Sequence, residues 1–186
     1  MKSAVILLVL SVLAVHGEER GSLEFSLGGG LWMPALLESD AQLDPGPAFL
    51  VSLRIPPSLG NVFVIQTGYL SASSGRDAYD GIAGIPLTVG YRMYPMYRRF
   101  AGPRGIEPLL GIYGGGMLLW DSPAGNQDAS STGAAVIGAE LGARVGIGES
   151  ASLDLVVSPE WVGAGSSVAG EGKDLTGLRL SLSVVF

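Results

Sequence analysis

The sequence contains no cysteine. That removes disulfides, thiolate metal ligands, cysteine nucleophiles and lipoprotein-type acylation together. Histidine is nearly absent too: His16 is the only one, and it lies in an apolar N-terminal stretch with the character of a leader. A chain without that leader has no imidazole, hence no histidine general base, no Ser-His-Asp triad and no histidine metal ligand. No catalytic, metal-binding or cofactor-binding residue is assigned, and the chain is expected to be non-enzymatic and to need no cofactor. Charge is sparse, 15% of residues. It is also biased: 17 acidic against 11 basic side chains give −6, and 17 against 10 give −7 once Lys2 goes with the leader. Without a basic cluster to displace counterions from a phosphate backbone, nucleic acid is not an expected partner. Long apolar runs are missing as well. Beyond the N-terminus none approaches the ~18 residues that a membrane helix requires.

What the chain does have is apolar character spread thinly, 47% hydrophobic residues interspersed with 29 glycines. Each glycine costs a helix interior ~1 kcal/mol relative to alanine, so this mixture favours many short strands. The length of 186 residues, with no linker-like stretch, fits one domain. At the N-terminus, Met1-Lys2-Ser3 forms a basic start, residues 4–15 form an apolar segment of 12 residues, and Val15 and Gly17 are small residues suited to a cleavage site before Glu18. As a helix that segment spans only ~18 Å against a ~30 Å hydrocarbon core. Residues 1–17 are therefore expected to be a cleaved signal peptide and 18–186 a single exported domain.

From Ser22 onward the pattern has period two, the signature of strands with unlike faces. Leu178, Leu180, Leu182, Val184 and Phe186 alternate with Arg179, Ser181, Ser183 and Val185; Ala135 through Ile147 and Leu153 through Trp161 alternate in the same way. Strands are expected near 22–32, 47–56, 61–71, 81–93, 105–120, 133–147, 151–162 and 175–186. Eight such segments, each able to supply the ~9–11 residues of a tilted membrane strand, predict an all-β fold, an eight-stranded antiparallel up-and-down transmembrane β-barrel. Connections after strands two and six read as tight turns (Pro56 to Asn61, Gly148 to Ser150), and those after strands one, three, five and seven as longer polar loops. The aromatic and basic Met93–Arg104 connection is the exception, since a short turn belongs there.

Two bands of aromatics are expected at the membrane interfaces, where amphipathic rings settle. Trp32, Tyr69, Trp120 and Trp161 fall at the loop-side ends of the upward strands; Phe25, Phe63, Tyr91, Tyr94 and Phe186 fall toward the other edge. The face opposite the apolar band should look inward. It carries Arg54, Gln66, Arg92, Glu140, Arg144, Asp154, Glu160 and Arg179. An eight-stranded barrel has room inside only for side chains, and a buried charge must be paired. The mixed signs predict a closed charge network filling the barrel, with a narrow porin-like channel as the alternative. A soluble lipocalin-like carrier would invert the pattern, with the apolar face inside.

Together these features resemble the OmpA-like and OmpX-like family of small outer-membrane barrels. The residues that carry the likeness are the leader, the glycine-rich stretch Glu107 to Gly116, the Gly-Ala-Glu-Leu-Gly-Ala-Arg-Val segment 138–145, and the alternating terminal strand ending at Phe186. The resemblance implies the outer membrane of a Gram-negative cell envelope, with outer-membrane lipid as surroundings. It also implies a terminal strand, ending at Phe186, that the barrel-assembly machinery reads.

Other motifs carry less. Gly28-Gly29-Gly30 and Gly114-Gly115-Gly116 lack the lysine and the strand-to-helix setting of a phosphate loop. Asp121, Asn126 and Asp128 share a loop without the spacing of an EF-hand. Ser130, Ser131 and Thr132 have no base partner in view.

Overall fold

The computed structural model describes residues 23–34, 36, 42–58, 60–75, 77–96, 105–124, 129–147, 151–166 and 174–186. The expected signal peptide 1–17, Asn126, Asp128, the turn at 148–150 and residues 97–104 of the long basic connection lie outside them. Nine strands follow in order: β1 (Glu24–Met33), β2 (Leu43–Asp44), β3 (Gly46–Ser58), β4 (Asn61–Ser74), β5 (Tyr79–Met93), β6 (Ile106–Pro123), β7 (Ser131–Gly146), β8 (Ser152–Ala164) and β9 (Asp174–Val185). β2 is a two-residue annex on the end of β4. The other eight form one antiparallel ring, each paired with its neighbours in sequence, closed where β1 meets β9. Closure gives each of the eight ring strands a partner on both sides, the arrangement by which a sheet satisfies its backbone without water. At the seam Phe25 and Phe186 exchange backbone hydrogen bonds, with N–O distances of 3.1 and 2.9 Å.

One rim carries the reversal at 59–60, the connections 94–105 and 147–151, and the seam residues Phe25 and Phe186. The opposite rim carries the connections 34–45, 75–78, 124–130 and 165–173. The strands run further than their sequence pattern suggests. β3 continues through Pro56 to Ser58, with a register shift after Ile55 that absorbs the prolines. The first tight turn thus shrinks to a reversal at Gly60, whose φ of 81° is comfortable only for glycine. Likewise β4 and β5 extend toward each other, so the connection after the third barrel strand is just 75–78 rather than a long loop. The exceptional connection after β5 begins by turning inward: Tyr94 donates its backbone N–H to Gly60 O at 2.8 Å and is buried.

Alternation then sorts the side chains. Phe49, Leu87, Ile112, Ile137, Leu155 and Leu182 are among many large apolar residues exposed on the outer wall, while Arg54, Arg92, Glu140, Asp154 and Arg179 are buried within. On β9, Leu178, Leu180, Leu182 and Val184 face outward and Arg179, Ser181 and Val185 inward.

Candidate functional site

The barrel interior has two halves. Toward the rim that holds the seam, six charged groups from five strands converge. Asp154 on β8 accepts hydrogen bonds from Arg54 Nη2 on β3, from Arg144 Nε on β7 at 2.9 Å, and at the limit of 3.5 Å from Arg92 Nη1 on β5. Arg92 also grips Glu140 on β7 with two donors, Nε to Oε2 at 2.5 Å and Nη2 to Oε1 at 2.8 Å. Glu24 at the start of β1 lies 3.4 Å from Arg144 and 3.8 Å from Arg54. Three guanidiniums thus meet three carboxylates within ion-pair distance, and a fourth, Glu107 on β6, is buried beside them opposite Arg144 in the β6–β7 ladder, so each cation has an anion near it in a low-dielectric interior. Tyr94 completes it: Arg54 donates to its hydroxyl at 3.2 Å, and the Arg144 guanidinium lies 4.5 Å from its ring centroid.

Midway along the barrel stands a smaller cluster. Glu160 accepts from Trp32 Nε1 at 2.8 Å and from the Tyr113 hydroxyl at 2.5 Å, and lies 3.7 Å from Arg179, whose guanidinium is 5.2 Å from the Tyr113 ring centroid. Tyr113 can lie across the wall because its neighbour in the β6–β7 ladder is Gly138; a Cβ at 138 would collide with the ring.

The loop-side half of the interior is apolar. Trp32, Leu50, Leu70, Ile82, Leu119, Val136, Val162 and Leu175 belong to one buried cluster to which all eight barrel strands contribute, with Leu43 of β2 and Tyr79 packed against it. This corrects the expectation of an interior filled by charge alone. The signal was present but carried no contrast: in 48–51 and 117–119 consecutive residues are apolar, so both faces of the strand read alike.

Every expected interior charge joins these groups: Arg54, Arg92, Glu140 and Asp154, all buried, and the partly buried Arg144 in the first cluster, and Glu160 and Arg179, both buried, in the second; Gln66 also faces inward. Of the expected interface aromatics, Tyr69 and Trp161 are exposed on the outer wall, Trp120 faces outward with its ring 6.1 Å from that of Tyr69, and Phe186 is exposed at the seam. Trp32 is a correction. It is 0% exposed and inside the barrel, because Phe25, Leu27 and Leu31 set the outward parity of β1 and residue 32 falls on the other face. Tyr94 is inside for the same reason, sharing the parity of Arg92. Glu24, Glu107 and Tyr113 were not expected as interior residues; their strand parity was the available signal.

Trp32→Phe tests the inner position directly. It keeps an aromatic ring but removes the donor to Glu160, and is expected to lower stability by about 1.5–3 kcal/mol, read as an earlier urea midpoint of the detergent-folded protein. A tryptophan at the membrane interface would tolerate the change.

Two weaker motifs resolve simply. Gly114 to Gly116 lie within β6. Asp121 accepts the Ser130 backbone N–H at 2.8 Å and so pins its own loop.

The sequence matches no family model and no curated protein. Solved structures do match. Neisserial surface protein A aligns with a TM-score of 0.64 at 14% identity, over 90% of this chain and 98% of that one. The chain has the fold of a closed, eight-stranded outer-membrane barrel. Looser alignments reach the N-terminal β-barrel domain of Pseudomonas aeruginosa OprF (TM-score 0.48, 12% identity, 90% of this chain and 100% of that one). A major outer membrane protein from Thermus thermophilus aligns at a TM-score of 0.45 and 14% identity, over 89% and 100%. Within this outer-membrane barrel fold, the charged cluster, the Glu160 cluster and the apolar plug stack in that order from the seam rim to the loop rim.

Proposed function

We propose that the chain is an integral outer-membrane protein of structural or surface-interaction type, non-enzymatic, with a filled interior and rim loops that form its working surface. The observation that carries this reading is an apolar outer belt on every barrel strand around a sealed core. In this reading residues 1–17 direct export, and the terminal strand ending at Phe186 is what the barrel-assembly machinery engages. The apolar cluster across the lumen weighs against a conducting channel, because ions would have to displace side chains from all eight strands. A lipocalin-like carrier would need Leu180 and Leu182 inside and Arg179 in water; the orientation is the reverse.

Expression of the full chain with fractionation tests the reading. The protein is expected in the outer-membrane fraction, with heat-modifiable migration on gels, and electrically silent after reconstitution into planar bilayers. Recovery as a soluble periplasmic protein would overturn the membrane assignment, and discrete conductance steps would overturn the sealed interior.

A further inference from the structure

The outer wall is not evenly covered. A furrow of 820 Å³ crosses it from β4 to β9. Phe63, Tyr91 and Ile112 flank one side, and Val89, Ile137 and Trp161 flank the other. These residues belong to two outward rows separated along each strand by two positions, and the inward-facing residues Gly90, Tyr113, Gly138, Glu160 and Gly177 between them contribute their backbone to its floor. Two small outward residues, Gly114 in one row and Ala139 in the other, leave the furrow open where larger side chains would fill it. Trp161 does not close it. Its ring extends along β8 over Gly163, where a Cβ would collide with it.

The dimensions select the occupant. Two positions along a strand are about 7 Å, so the rows stand one hydrocarbon chain apart. A helix about 10 Å across is too wide to enter, a closed barrel offers no strand edge for an added strand, and a second convex barrel cannot reach the floor. Crossing from β4 to β9 takes five interstrand steps of about 4.8 Å, roughly 24 Å in all. Because barrel strands tilt by about 35–45°, that path rises only about 14–17 Å along the bilayer normal, about half the ~30 Å hydrocarbon thickness and hence the depth of one leaflet.

We propose that this furrow is a lipid-binding site that holds one phospholipid by a single acyl chain, retained after the surrounding bilayer is removed. The inference rests on the outer-membrane reading above. Dispersion along the furrow supplies the retention, since a chain in a groove has partner atoms on three sides where one on a smooth wall has them on one.

The test uses the full folded barrel in vesicles of dioleoylphosphatidylcholine, checked by flotation, then extracted into detergent and weighed by native mass spectrometry. The unsubstituted protein is expected to keep one phospholipid per barrel. Gly114→Leu and Ala139→Leu, which fill the furrow, should each reduce that species at least fivefold. A Cβ at 114 meets only Val136 O at 3.5 Å, an ordinary contact, so the wall accepts it. Gly29→Leu is the control, an outward glycine on β1 outside the furrow whose Cβ would meet only Ala48 O at 3.7 Å; it should retain the lipid. Heat-modifiable migration confirms that each variant has folded. Equal retention in all variants overturns the proposal, as does a floating barrel that keeps no lipid, which leaves the outer-membrane reading standing. A mass of two chains without lipid overturns it in favour of a second copy. Failure of the folded protein to float with the vesicles overturns both.

Discussion

Asp154→Ala should be the most damaging single substitution in the barrel. Removing this carboxylate deprives Arg54, Arg92 and Arg144 of their common acceptor. Arg54 suffers most, being 0% exposed and left, among the described residues, with a distant Glu24 and the Tyr94 hydroxyl. Breaking a buried ion pair from one side costs about 3–5 kcal/mol, because a charge then remains without compensation. With three cations sharing the lost partner, the upper end of that range or beyond is expected, and part of the population should fail to fold. The check is a urea titration of the protein folded in detergent, followed by gel migration without heating. The double variant Asp154→Ala with Arg54→Leu separates the causes. Removing one orphaned cation should recover part of the loss if uncompensated charge is the mechanism; no recovery would assign the cost to packing.

Leu87→Arg should produce the second largest effect, and its sign depends on the surroundings. Leu87 lies mid-strand on β5 and is 62% exposed on the outer wall. In water an exposed leucine replaced by arginine changes stability by about 0.5 kcal/mol or less in either direction. In a bilayer the same change near the midplane costs about 2–4 kcal/mol. A urea titration in phospholipid vesicles should therefore show a destabilisation of that size. Near-neutral behaviour in vesicles would mean that the belt does not face hydrocarbon.

Much of this architecture is legible in the sequence, and the reason is geometric. A strand has period two, so a chain that alternates Leu178, Leu180 and Leu182 with Arg179 and Ser181 declares both its secondary structure and the environment of each face. The inward placement of Arg54, Glu140, Asp154 and Arg179 follows from parity alone. Trp32 defeats any reading that gives ring chemistry more weight than parity: position along the strand suggests an interface, whereas Leu27 and Leu31 already set which face is outside. The apolar plug is not legible, since Leu50 faces inward and Phe49 outward with no polarity difference between them. Partner choice inside the barrel is also beyond reach. That Asp154 gathers three arginines while Glu160 takes Trp32 and Tyr113 depends on strand stagger, which alternation does not encode. The reversal at Gly60 is obscured by Pro56 and Pro57, which look like a turn but are accommodated by a register shift.

The exchange of hydrogen bonds between Phe25 and Phe186 has a further consequence, for the order in which the barrel forms. Every other pairing around the ring joins neighbours in sequence, so seven hairpins can begin locally and at small entropic cost. The seam alone joins positions separated by nearly the whole described chain, and its loop-closure entropy must be met in one step. Five strands supply the carboxylates and guanidiniums of the charged cluster, β1 at the seam among them, and Glu24 reaches Arg144 only when β1 has come round. Completion of the charged network and closure of the wall are therefore tied together: a barrel still open at the seam holds Arg144 without Glu24, and this discourages partly closed forms from persisting.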